Sequence, residues 1–188
     1  MKRSLLVLPL LFLPALPVAA QVAIDTSNQD RANLVAMIEI VRHEVEDAVA
    51  AMPATKFGFV PTEGDFTGVR SFARQAKHLS ATNYILASAA LGMDPPADAG
   101  DEMGPDSVVT KVQIIAYMKG SFDLLERAAR AYGDTRIPVR TSPISPFQGH
   151  SVTRLALIVE STVHAFDHYG QMVVYLRMNG VVPPASRR

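Results

Sequence analysis

The sequence contains no cysteine. That single absence removes disulfides, thiolate metal sites and thiol nucleophiles together, and leaves histidine and carboxylates as the strong metal ligands available. Net charge is also missing: 18 basic and 18 acidic residues cancel, and charged residues make up 19% of the chain against 48% hydrophobic. Neither disorder nor a polyanion-binding surface fits that balance, so nucleic acid is not an expected partner. No stretch shows a convincing alternating strand pattern. No Glu is followed by His three residues later, which excludes a di-iron carboxylate centre of the bundle type. His43 and Glu44 are followed by Asp47 where a zincin-like HExxH requires its second histidine. The acidic loop at residues 92–105 holds Asp98, Asp101 and Glu102, but without the alternating oxygen-ligand spacing of an EF-hand, so solvated charge is the expected reading.

What is present begins with a leader. Residues 1–20 have a basic start at Lys2 and Arg3, an apolar run, and small residues at Val18, Ala19 and Ala20 before Gln21. This is the three-part layout of a secretory signal peptide. It predicts cleavage after Ala20, a mature domain over residues 21–188, and export to a periplasm or beyond. The apolar run is short for a membrane span and is broken by Pro9, Pro14 and Pro17, so no stable membrane anchor is expected after cleavage. Loss of Lys2 and Arg3 leaves the mature chain mildly acidic.

The remainder reads as four helices separated by breakers, an all-α chain. The first runs from about residue 28 to 52, with Leu34, Ile38, Val41, Val45, Ala48 and Met52 on one stripe; His43 falls off that stripe among charges and should face solvent. Residues 53–67 form a loop rich in Pro, Gly and aromatics, expected to pack on the bundle end. The second helix spans about 68–91, with Thr67 as its cap and Gly92 as its stop. Its inward line is Phe72, Gln75, His78 or Leu79, Thr82, Ile85 and Ala89. The third spans about 107–132, capped by Asp106 or Ser107 and stopped by Gly133, with Val108, Val112, Ile115, Met118, Phe122, Leu125 and Ala129 inward. The last runs from about 151 to 180, with His150 at its mouth in a capping or surface role. Four such helices can bury their stripes in one four-helix bundle, and loops of more than a dozen residues permit connections that are not simple hairpins.

The chemistry concentrates near the C-terminus. His164 and His168 are four residues apart on the last helix, so both imidazoles leave one face a turn apart, at metal-ligand spacing. Two buried imidazoles need partners for their ring nitrogens, and a divalent cation satisfies one nitrogen of each. In a bundle, a facing helix can bring His78 alongside them. Taken alone, a single inward histidine is more often a hydrogen-bonded core residue than a ligand. Three imidazoles with open positions left over are the ligand set of a catalytic rather than a structural zinc-type site. Glu160, one turn before His164, is a candidate fourth ligand or base; Asp167 is a candidate partner for His168 or a solvent-facing charge. Tyr84, Tyr117 and Tyr169 read as packing residues.

Residues 56–88, KFGFVPTEGDFTGVRSFARQAKHLSATNYILAS, and residues 164–184, HAFDHYGQMVVYLRMNGVVPP, together resemble the DinB-like superfamily, in the branch of damage-inducible-type and bacillithiol- or mycothiol-transferase-like bundles. The DFTG at residues 65–68 departs from that pattern as a small insertion. The resemblance implies a four-helix bundle with an unusual helix order and a divalent metal, zinc or nickel, held by one histidine on the second helix and an HxxxH pair on the last. His78, His164 and His168 fall on those positions. It also implies a metal-dependent enzyme of thiol S-transferase-like or hydrolase-like type acting on an unknown small molecule, and a homodimer as the expected assembly. A non-catalytic, metal-stabilised bundle that holds a ligand or partner is the alternative.

Overall fold

The computed structural model describes residues 27–131 and 138–187. The expected leader at residues 1–20 and the expected end of the third helix at Tyr132 and Gly133 lie outside them. Four helices dominate the described residues: α1 (Ser27–Ala51), α2 (Phe72–Leu91), α3 (Lys111–Arg130) and α4 (Arg154–Met178). Three begin at a side-chain cap that satisfies an otherwise unpaired backbone N–H. Ser71 accepts from the Arg74 N–H, Thr153 from that of Ala156, and Thr110 forms a reciprocal capping box with Gln113.

These caps move three of the expected boundaries, α4 starting at Arg154 after its Thr153 cap rather than near residue 151. Helix α2 starts at Phe72 rather than near residue 68, because Gly68 has φ +80°, a left-handed conformation that a right-handed helix cannot contain. The Thr67 N–H is taken up instead by the Asp65 carboxylate, at 3.3 Å. Helix α3 starts at Lys111 because the Thr110 and Gln113 box outcompetes Asp106 and Ser107 as a start signal. Val112, expected inward, is 77% exposed as a result. Before α4 lies a pairing not expected from the sequence: β1 (Pro138–Arg140) and β2 (Ser151–Thr153) are antiparallel, with Val139 opposite Val152. Three-residue strands are too short to show a period-two pattern.

Around the bundle each of α1 and α2 packs against both α3 and α4, while α1 and α2 face each other across the diagonal. Arg42 on α1 reaches Asp123 and Glu126 on α3, and Glu39 pairs with Arg130, so these two helices are antiparallel. Gln75 meets Gln171, and Asn83 meets Ser161, so α2 and α4 are antiparallel too. Asn83 also lies beside Ser121, and Met93, just past α2, meets Arg127, which makes α2 and α3 parallel neighbours. The connection between them, residues 92–110, must therefore travel back the length of a 20-residue helix, about 30 Å. This crossover is what brings loop backbone to the side of α2 that carries His78.

The core is continuous from Ile38, Val41, Val45 and Val49 of α1 through Leu79 and Leu86 of α2, Met118, Phe122 and Leu125 of α3, and Leu157, Ile158 and Met172 of α4. The loop after α1 does pack on the bundle end: Phe57 lies edge-on to Phe72 with centroids 5.5 Å apart, and Phe59 to Tyr175 at 5.6 Å. Tyr84 and Tyr117 pack together at 5.0 Å across α2 and α3. Gly120 makes this close approach possible, since a Cβ there would collide with the Tyr84 hydroxyl.

Candidate metal centre

Helix α2 presents Gln75 and His78 one turn apart, and α4 presents His164 and His168 one turn apart. Because the two helices are antiparallel neighbours, both pairs point into the same interface. His78 and His168 are buried and His164 is partly buried. The three ring nitrogens converge: His164 Nε2 lies 3.2 Å from His78 Nε2 and 3.1 Å from His168 Nε2. The ring centroids are 4.4 to 5.0 Å apart, each pair edge to face.

The other nitrogens show how protons are distributed. His78 Nδ1 is 2.8 Å from the backbone carbonyl of Glu102, which can only accept, so the proton sits on Nδ1 and the lone pair on Nε2. Glu102 has φ +61°, a conformation rare for a residue with a side chain, and this turns its carbonyl towards α2. The crossover is pinned next to it by Lys77, whose ammonium donates to the Pro105 carbonyl at 2.7 Å. His168 Nδ1 is held by the Gln75 side-chain oxygen, which leaves its Nε2 lone pair free as well. His164 Nδ1 is buried with no partner among the described residues.

Three neutral rings carry one N–H each, and two of those protons are already committed to Nδ1. At most one proton, on His164, remains to separate three converging nitrogens. A divalent cation accepts all three lone pairs at once. Zinc–nitrogen bonds of about 2.0–2.1 Å in a tetrahedral arrangement put ligand nitrogens about 3.3 Å apart. The observed 3.1 and 3.2 Å separations fit that requirement. Burial lowers the proton affinity of all three rings. It pushes His164 down to about 4 and His168 to about 3, and their mutual proximity and the nearby positive charge of Arg70 add to the effect. His78 is lowered by burial and Arg70, against its bond to Glu102. Unprotonated imidazole is the form that binds metal.

All three histidines singled out in the sequence are therefore brought together. His43 is 79% exposed beside Asp47, and His150 is exposed. Among the described residues no carboxylate joins the nitrogen cluster, so Glu160 and Asp167 are not within ligand range of it. Asp167 acts further out, accepting from the Gln171 amide at 2.7 Å. Tyr84, Tyr117 and Tyr169 are all partly buried, and burial, helped by the Glu44 carboxylate, raises the Tyr169 phenol to about 12. The surroundings missed in the sequence are Glu102, Arg70 and the pair Gln75 and Gln171. Gln75 stood on the inward line, and Gln171 follows Asp167 by four residues, a spacing at which an amide and a carboxylate meet on a helix.

Residues 37–172 match the model of the DinB superfamily, a span that includes all three histidines. No curated protein matches the chain significantly. The fold is similar to the crystal structure of a protein from Exiguobacterium sibiricum 255-15 described as a member of the DinB family. The TM-score is 0.56 at 20% identity, covering 80% of this chain and 91% of that one.

Proposed function

Because this chain belongs to the DinB superfamily, we propose that His78, His164 and His168 hold one divalent cation, zinc or nickel, and that the protein is an exported metal-dependent enzyme of thiol S-transferase-like or hydrolase-like type. The observation that carries the metal reading is the convergence of three Nε2 atoms at 3.1 and 3.2 Å, with the proton of two of the rings directed elsewhere. When bound, such an ion supplies Lewis acidity that lowers the pKa of a coordinated water or substrate thiol. The chain's own contribution is to keep the imidazoles neutral by burial, to orient two of them through Nδ1, and to bring no carboxylate of the described residues into the nitrogen cluster.

The last of these also favours a second reading. Among the described residues no carboxylate joins the three nitrogens, which suits a metal-stabilised bundle that holds a ligand without turnover. Elemental analysis of the mature protein, purified without a histidine tag, tests the metal. One zinc or nickel per chain is expected, and a metal-free protein that stays empty on titration with both ions would remove the reading. Screens against thiol conjugates and esters with and without chelator separate the two functions, because only the enzyme gives chelator-sensitive turnover.

Export and assembly rest on the sequence. Intact mass of secreted material should begin at Gln21, and retention of residues 1–20 in a membrane fraction would count against export. A homodimer is the proposed assembly, and a monomer mass by light scattering at micromolar concentration would exclude it.

A further inference from the structure

A chain of side-chain hydrogen bonds leads from the histidine cluster to the surface. His168 Nδ1 meets the Gln75 side-chain oxygen. The Gln75 amide nitrogen donates to the Gln171 oxygen at 2.7 Å, and the Gln171 amide nitrogen donates to Asp167 Oδ2 at 2.7 Å. Gln75 is 2% exposed, whereas Gln171 and Asp167 lie at the surface.

The direction of this chain is set from its outer end. An ionised carboxylate only accepts, so Gln171 must turn its NH2 towards Asp167 and its oxygen towards Gln75. Gln75 must then offer its NH2 to Gln171 and its oxygen to His168. His168 is left with one consistent choice, a proton on Nδ1 and a lone pair on Nε2, the atom that faces His164. Each primary amide transmits the polarity because it has a donor end and an acceptor end. No other partner of these groups among the described residues competes with the sequence of bonds.

We propose that Asp167, through Gln171 and Gln75, is a positioning residue that sets the tautomer of His168 and so prepares its Nε2 to bind the metal. His78 obtains the same result from a backbone carbonyl, which no substitution of a side chain can reverse. His168 obtains it from a relay that can be rewired. The proposal rests on the metal reading for its purpose, but its structural content concerns the metal-free protein as well.

Nitrogen-15 NMR of the histidine rings in metal-free protein at neutral pH reads the tautomer directly, and chelator competition reads zinc affinity. The wild type should show His168 protonated on Nδ1. In Asp167→Asn the outer group can donate or accept, so the tautomer should become mixed and zinc affinity should fall about tenfold, the scale of losing a partner behind a metal-binding histidine. The control Glu39→Gln, on the far side of the bundle in an exposed pair with Arg130, should change neither.

Gln75→Glu provides the sharper arm. A carboxylate at that position accepts from His168 directly and forces Gln171 to donate inwards, which turns the Gln171 oxygen against Asp167. In that background Asp167→Asn should no longer weaken zinc binding and should strengthen it, a reversal of sign that simple loss of packing does not produce. A fixed Nδ1–H tautomer and unchanged affinity in Asp167→Asn would overturn the relay while leaving the metal site intact. If the wild type binds no zinc or nickel, the metal reading fails, and the NMR arm still decides whether the relay sets the tautomer.

Discussion

Helices α1 and α2 stand at opposite corners of the bundle and each packs against both α3 and α4, yet they bury different chemistry. The inward face of α1 is Val35, Ile38, Val41, Val45, Ala48 and Val49, with no buried polar side chain among them. That of α2 includes Gln75, His78, Ser80, Thr82, Asn83 and Ser88. Buried polar groups destabilise a core unless they are hydrogen-bonded. Most of those on α2 are: Gln75 meets His168 and Gln171, Asn83 bridges Ser121 and Ser161, and Ser80 bonds back to the Ala76 carbonyl. The α1 corner thus supplies cohesion and the α2 corner holds the site: Gln75 and Asn83 are met from α4, His78 from the crossover and Ser80 from its own helix, while the Thr82 hydroxyl is buried with no partner among the described residues.

Three measurements press on that contrast. The largest effect is expected on the α2 and α4 side: His164→Ala or His168→Ala should abolish stoichiometric metal, and His78→Ala should come close, because two ligands are too few to compete with buffer. His43→Ala and His150→Ala should leave metal content unchanged by elemental analysis. Full occupancy in His78→Ala would show that the contrast between the helices has nothing to do with metal.

On the α1 side, Ile38 is fully buried, and Ile38→Ala should cost roughly 2–5 kcal/mol of stability by urea denaturation, the usual range for an emptied core site. Metal stoichiometry in the folded fraction should be unaffected. Loss of metal along with stability would show that the two corners are coupled rather than separate.

A graded effect should appear in acid. His164 and His168 have folded-state values near 4 and 3, below the ordinary value of about 6.5 that applies in the unfolded chain. Between these limits the unfolded chain binds more protons, so stability of the metal-free protein should fall as pH drops from about 6.5 and level off only below about 3. Urea midpoints at successive pH values should show this slope, and His168→Gln should reduce it. An equal slope in that variant would place the acid sensitivity elsewhere.

The lines between legible and hidden features follow from how each is encoded. Ile38, Val41, Val45 and Ala48 recur at threes and fours, which is a local property of the α1 sequence and shows its helix and inward face directly. The helix starts were less legible: Thr67 and Ser71 are both acceptable caps by type, and only the left-handed Gly68 excludes the first. The short pairing of Pro138–Arg140 with Ser151–Thr153 depends on two segments separated by ten residues, and neither carries a strand pattern of its own.

By itself the sequence determined the helical class, the apolar stripes and the one-turn spacing of His164 and His168, since each depends on residues within a few positions of one another. The tertiary structure alone decided that His78 meets that pair, that α2 and α3 run parallel, and that the crossover between them delivers a carbonyl to His78. A carbonyl is the same in every residue, so the Glu102 oxygen could not be singled out in a sequence; its position comes from the path of the chain and from φ +61°. Gln75, Gln171 and Asp167 are common surface residue types, and their order as a directed hydrogen-bond chain exists only because two antiparallel helices place residues 75 and 171 side by side.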